Sequence, residues 1–242
     1  MTLESKRVVV IGGTSGIGFA IAEGAQADGA DVVVGSSQAN NVVAALARLG
    51  NRASGHAVDV RDEASVAAFF ESVGPFDHLA FTAGDWGPMR TPRPLAETDL
   101  EAAKDLAGVR YWGAIAAVKH ATKTIAEDGS ITLTNGTVAH RPRKGTPLST
   151  AMAGSIEFLT RALAVDLAPL RVNAVCPAMI RTEVWNSIPA EDREERIKQM
   201  TARQPLPRIG EPAEVAEAYL YLMRGGYTTG QVLRVDGGTT LI

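Results

Sequence analysis

The sequence predicts an α/β fold: a doubly wound sheet of seven parallel strands with helices on both faces. Three observations carry this. Short β-branched runs alternate with helix-length segments along the whole chain. Strands such as RVVVIGG (7–13) are apolar throughout, the pattern of a strand covered on both faces. The 242 residues are 45% hydrophobic and 21% charged, which supports one sizeable core and gives no sign of disorder.

The elements follow in order. RVVVIGG (7–13) is the first strand, and GIGFAIAEGAQADGA (16–30) the first helix, closed by Gly29. DVVVGSS (31–37) is the second strand and NNVVAALARLG (40–50) the second helix. HAVDV (56–60) reads as the third strand. DEASVAAFFESVG (62–74) begins in acids and ends in glycine, the polarity a helix favours. DHLAFTAG (77–84) is the fourth strand, and the Pro- and Gly-rich stretch 85–98 is a loop. One long helix is expected over about 99–126, then a fifth strand, GSITLTNG (129–136). A basic loop, HRPRKGTP (140–147), leads to a helix over 149–168 with Met152, Ile156, Leu159, Leu163 and Leu167 on one stripe. LRVNAVCPAMI (170–180) is the sixth strand. A charged helix (190–200), a helix with Pro at its start (212–226) and a seventh strand, QVLRVDGG (231–238), complete the chain. No repeat or long linker divides it, so residues 1–242 read as one domain.

Several functions are disfavoured. The net charge is −3 with no basic block, so nucleic acid is not an expected partner. The single cysteine, Cys176, excludes an internal disulfide framework and cannot form a structural zinc site by itself. No metal is expected. The N-terminal apolar run is too short for a signal segment or a membrane span, so no membrane partner and a cytoplasmic location are expected.

The turn after the first strand carries chemistry. In GGTSGIG, Gly12, Gly16 and Gly18 are spaced G-x-x-x-G-x-G between a strand and a helix. Glycine lets the backbone approach a pyrophosphate, and the free N–H groups of the following helix favour the anion. Thr14, Ser15 and Ile17 fall within the same turn and join the expected cofactor contacts. The fold is therefore of the Rossmann type. An acid at the end of the second strand would bind the ribose 2′-OH of NAD. Gly35-Ser36-Ser37-Gln38 has none, and Asp31 lies at the other end of that strand. Ser36 and Ser37 offer hydroxyls to a 2′-phosphate, although no arginine stands beside them in sequence. NADP(H) is expected over NAD(H).

These motifs resemble the short-chain dehydrogenase/reductase family over nearly the whole chain. The landmarks are GGTSGIG, Asp59-Val60, Thr82-Ala83-Gly84, RVNAVCPAMIRT (171–182), PLPRIGEPAEVAEAYLYL (205–222) and TTGQVLRVDGG (228–238). The resemblance implies that Asp59 and Val60 border the adenine and that Ala83 and Gly84 line the ribose edge. It places Ile180 and Thr182 near the nicotinamide amide and the phosphates. It also implies a tyrosine as proton donor, a lysine four residues later, a serine after the fifth strand and an asparagine on the long helix. In this sequence those positions fall on Ser149, Ala153, Gly136 and Arg110. No tyrosine lies between 112 and 218.

Arg110, His140 and Ser149 are the candidate catalytic residues. Arg110 is expected to reach over Ala153 toward the ribose or a substrate oxygen, or else to ion-pair with Asp105 or another nearby acid. His140 carries an imidazole, a side-chain type suited to proton transfer. Its neighbours Arg141, Arg143 and Lys144 suit an acidic substrate, or form an ordinary solvated loop. Trp86 and Trp185 sit on loops that flank a substrate or simply pack. Three functions compete: an NAD(P)-dependent oxidoreductase on a carbonyl or hydroxyl of a small molecule, a cofactor-binding protein without turnover, and a non-redox lyase or dehydratase. Small residues at Ala114, Ala116, Ala117, Ala151, Gly154 and Ser155, with the resemblance, imply a homodimer or homotetramer.

Overall fold

The computed structural model describes residues 2–84 and 92–242. The strands are β1 (Arg7–Ile11), β2 (Asp31–Ser36), β3 (Ala53–Ala57), β4 (Phe76–Phe81), β5 (Ile125–Thr134), β6 (Arg171–Pro177) and β7 (Val232–Val235). They form one sheet in the order β3-β2-β1-β4-β5-β6-β7, with every pairing parallel. The helices are α1 (Gly16–Ala27), α2 (Ala39–Leu49), α3 (Glu63–Val73), α4 (Leu100–Ala107), α5 (Gly113–Ala121), α6 (Pro147–Asp166), α7 (Ala190–Thr201) and α8 (Pro212–Arg224). The seven-stranded, doubly wound architecture is the expected one.

Strand geometry explains the two cores. Successive side chains point to opposite faces. Val8 and Val10 of β1 pack with Ile21, Ala22, Val215 and Tyr219 on the face covered by α1 and α8. Val9 and Ile11 pack with Phe69, Phe70, Ala117 and Ile156 on the face covered by α3, α5 and α6. The chain leaves β1 in one direction toward β3, then returns to β4 on β1's other side. The strand ends diverge at that switch point, where open α/β sheets bind ligands.

Two expectations are corrected. The third strand is Ala53–Ala57, not 56–60. It is an edge strand paired only with β2 and is largely exposed, so it needs no apolar pattern. Val58 and Val60, which suggested the strand, are buried in the segment after it. The single helix over 99–126 is three pieces: α4, a π-helical turn at Gly108–Trp112, and α5, which stops at Ala121. From Ile125 the chain is already strand, paired with Phe76 across an irregularity in β4. Gly129 is needed there, since a Cβ would strike the backbone of Asp77. Among the described residues, no helix is long and apolar enough to cross a membrane.

Candidate functional site: a dinucleotide cavity at the switch point

The glycine turn is built for close approach. Gly12 has φ +88°, and a Cβ there would meet Ala83 N at 2.6 Å. A Cβ on Gly18 would run into the carbonyl of Gly12. Helix α1 begins at Gly16. Its N-cap, Ser15, makes no side-chain capping bond, and no acid occupies the first turn. The helix's partial positive end is left for an anion. A pyrophosphate therefore fits this cradle. Glu183 opposes it, with a carboxylate oxygen near the open side of Gly16.

The turn forms part of a cavity of about 780 Å³, within the range of small-molecule sites. Every residue expected to touch the cofactor lines it: Gly12, Thr14, Ser15, Gly16, Ile17, Gly18, Ser36, Ser37, Asp59, Val60, Ala83, Gly84, Ile180 and Thr182. Asn41 and Arg61 join Ser36 and Ser37. Sequence reasoning found no arginine for this end of the cavity. Arg61 arrives from the segment after β3, anchored by its own N–H donating to Asp59 Oδ1 at 3.0 Å. No acid occupies the first turn of α2.

At the other end lie Arg110, Thr134, Asn135, Gly136 and Ser149. Arg110 is carried by the π-helical turn, a feature often found at functional sites. Its guanidinium lies against Gly84, where a Cβ would collide with it. Arg110, Ser149 and Ala153 also share a water-sized void of about 10 Å³. Arg110 and Ala153 thus border one space. The alternative pairing with Asp105 lies outside the described side chains.

Ser149 is buried, and its Oγ donates to Thr146 O at 3.1 Å. Asn135 is tied back as well. Its Nδ2 donates to Glu157 Oε1 at 2.6 Å, and its Oδ1 accepts from Gly136 N at 2.6 Å. Tyr219 is fully buried, with its hydroxyl 2.6 Å from Thr134 Oγ1, and burial holds its pKa well above the usual phenol range. Among the described residues, no tyrosine and no lysine lines the cavity.

His140 is corrected: it is not among the residues lining the cavity. Its Nε2 lies 2.5 Å from Glu157 Oε1, in a contact that is not an aligned hydrogen bond. Its Nδ1 lies 3.2 Å from a nitrogen of Arg234. His140, Glu157 and Cys176 hold their ligand-type atoms within 4.8 Å of one another. Burial pushes the Cys176 thiol up to about 12, so that trio offers a cation little.

Trp185 lines the cavity, its indole N–H donating to Ile180 O at 2.7 Å; Trp86 lies outside the described residues. Sequence reasoning missed Asn135 and Glu157. The signal was the spacing of four along α6, which puts Ser149, Ala153 and Glu157 on one helix face.

A family model described as enoyl-(acyl carrier protein) reductase matches residues 12–240. A short-chain dehydrogenase/reductase, ATR9, of Stachybotrys chlorohalonatus is 34% identical over 255 residues, covering 99% of each chain. A solved small-chain dehydrogenase in complex with NADPH superposes with a TM-score of 0.84 at 32% identity, over 99% of this chain and 100% of that one. The solved MalC reductase/Diels-Alderase of Malbranchea aurantiaca gives a TM-score of 0.91 at 32% identity, over 99% and 98% of the two chains.

Proposed function

Because the chain belongs to the short-chain dehydrogenase/reductase family, we propose that it is an NADP(H)-dependent oxidoreductase. It interconverts a carbonyl and a hydroxyl on a small molecule and holds the reacting oxygen with Arg110. The observation that carries this reading is the Arg110 guanidinium set against Gly84, in one cavity with the glycine turn and Ser149.

The bound nicotinamide supplies the hydride on reduction and accepts it on oxidation. Gly12, Gly16, Gly18 and the start of α1 hold the pyrophosphate. Ser36, Ser37, Asn41 and Arg61 face the adenosine end, with no carboxylate on β2's last turn to repel a 2′-phosphate. The complexed NADPH of the solved neighbour supports the same preference. Arg110 stays protonated at all working pH values, so it stabilises negative charge developing on the substrate oxygen. It is a poor proton donor. Ser149 is a weak acid whose proton is already directed to Thr146 O. The proton that completes reduction therefore comes from water.

The neighbour named both reductase and Diels-Alderase supports a second reading. A guanidinium that polarises a carbonyl without giving up a proton also serves a non-redox step. Fluorescence titration with NADPH and NADH, followed by a carbonyl panel under saturating cofactor, separates the readings. NADPH binding at least about tenfold tighter than NADH, with turnover, supports the first. Tight binding without turnover of any carbonyl contradicts it and leaves cofactor binding or non-redox chemistry.

The chain assembles as a homodimer or homotetramer in this proposal. Phe158 and Val165 stand 70% and 81% exposed on α6, and Trp112 stands 62% exposed at the end of the π-helical turn. Gly154 has no side-chain neighbour on that helix. A monomer by light scattering contradicts this.

A further inference from the structure

We propose that the substrate carries a carboxylate, received by Arg141 and Arg143 on the loop between β5 and α6. The inference rests on the oxidoreductase reading for where the substrate sits. Both arginines line the cavity, and Lys144 beside them does not.

Two observations bear on them. The first is pairing. Arg52, Arg161, Arg181, Arg208 and Arg224 each form a salt bridge with an aspartate or glutamate. Among the described residues, Arg141 and Arg143 form none, in a chain whose acids outnumber its lysines and arginines by 27 to 24. Among the described residues, acids are available, yet none is spent on these two. The second is fixation. Arg141 Nη1 donates to Thr239 O at 3.1 Å, which sets the direction of its guanidinium. The Arg143 backbone N–H donates to Thr146 Oγ1 at 2.9 Å, which fixes the loop at that residue.

The cavity wall from the segments after β5 and β6 therefore presents Arg141 and Arg143 together with Arg110. Of the cavity's two described acids, Glu183 lies near Gly16 in the glycine turn and Asp59 lies in the segment after β3. A planar guanidinium fork matches a carboxylate through two parallel hydrogen bonds. Arg110 takes the reacting oxygen, and the loop arginines take the fixed anion.

The test uses the full protein under saturating NADPH with a panel of oxo acids, each paired with its methyl ester. The expected result is a kcat/KM for the acid at least about tenfold above its ester, the size of a charge-assisted hydrogen bond. In R141Q and R143Q that ratio falls toward one, mainly through KM, and melting in the presence of NADPH checks folding. A second arm measures cyclohexanecarboxylate binding to the NADP⁺-loaded protein by calorimetry. Binding that weakens with salt and in both variants sustains the proposal. If that binding occurs while no oxo compound is turned over, the carboxylate site stands and the oxidoreductase reading falls. Turnover with equal acid and ester rates, or no carboxylate binding, overturns the proposal.

Discussion

At Arg110 the guanidinium packs on Gly84, with Ser149 and Ala153 bordering the same small void. Removing one preorganised donor from a developing oxyanion typically costs ~10²–10³ in kcat. R110A is expected to lose about that much while NADPH affinity changes little, and R110K to retain more because it keeps a cation. Steady-state kinetics beside a cofactor titration checks this; equal kcat in R110A removes Arg110 from the chemistry. Residue identity made Arg110 and Ser149 legible, since each falls on a motif position of a long, well-spaced resemblance. His140 was misjudged because sequence shows a side chain's chemistry and not its direction. Glu157, 17 residues later on α6, and Arg234 on β7 hold the ring away from the cavity.

Among the elements, β4 and β5 carry a buried titrating group. His78 is 4% exposed, with Nδ1 3.0 Å from Ser130 Oγ. Burial lowers its pKa from an ordinary 6.5 to about 4. The unfolded chain takes up a proton below pH 6.5, and the folded chain takes it up only near pH 4. Its contribution is therefore complete above 6.5 and is lost as pH falls toward 4, by on the order of a few kcal/mol. Urea unfolding across that window is expected to show this slope, and H78Q to flatten it. An unchanged slope in H78Q places the titration elsewhere. A second element-scale expectation concerns Glu157, which is buried and holds Asn135 Nδ2. E157A leaves that amide unpaired beside the site and is expected to cost roughly 1–3 kcal/mol of unfolding free energy, with E157Q nearer wild type. A Tm in E157A equal to wild type contradicts that role. Most elements with an apolar signal were read correctly. The edge strand β3 and the π-helical turn were not, because an exposed edge needs no hydrophobic pattern and a helix with one extra residue per turn keeps ordinary helix composition.

For the molecule as a whole, sheet order and cavity position follow from one topological fact. The chain reverses direction across the sheet between β1 and β4, and the glycine turn and Gly84 end those two strands. That much was legible, because strand–helix alternation and a strand–glycine–helix junction are local signals with a single common architecture. Arg61, Arg141 and Arg143 were not legible as cavity residues, since they come from loops whose course depends on the completed fold. Single-turnover transfer from deuterium-labelled NADPH to a carbonyl substrate, followed across pH 6–9, decides whether Arg110 serves hydride transfer without a titrating partner. The account predicts deuterium on the carbinol carbon, at a rate nearly flat in pH because arginine does not titrate there. A rate that rises and falls with a group titrating inside that range, or NADPH bound with no deuterium transferred, would contradict it.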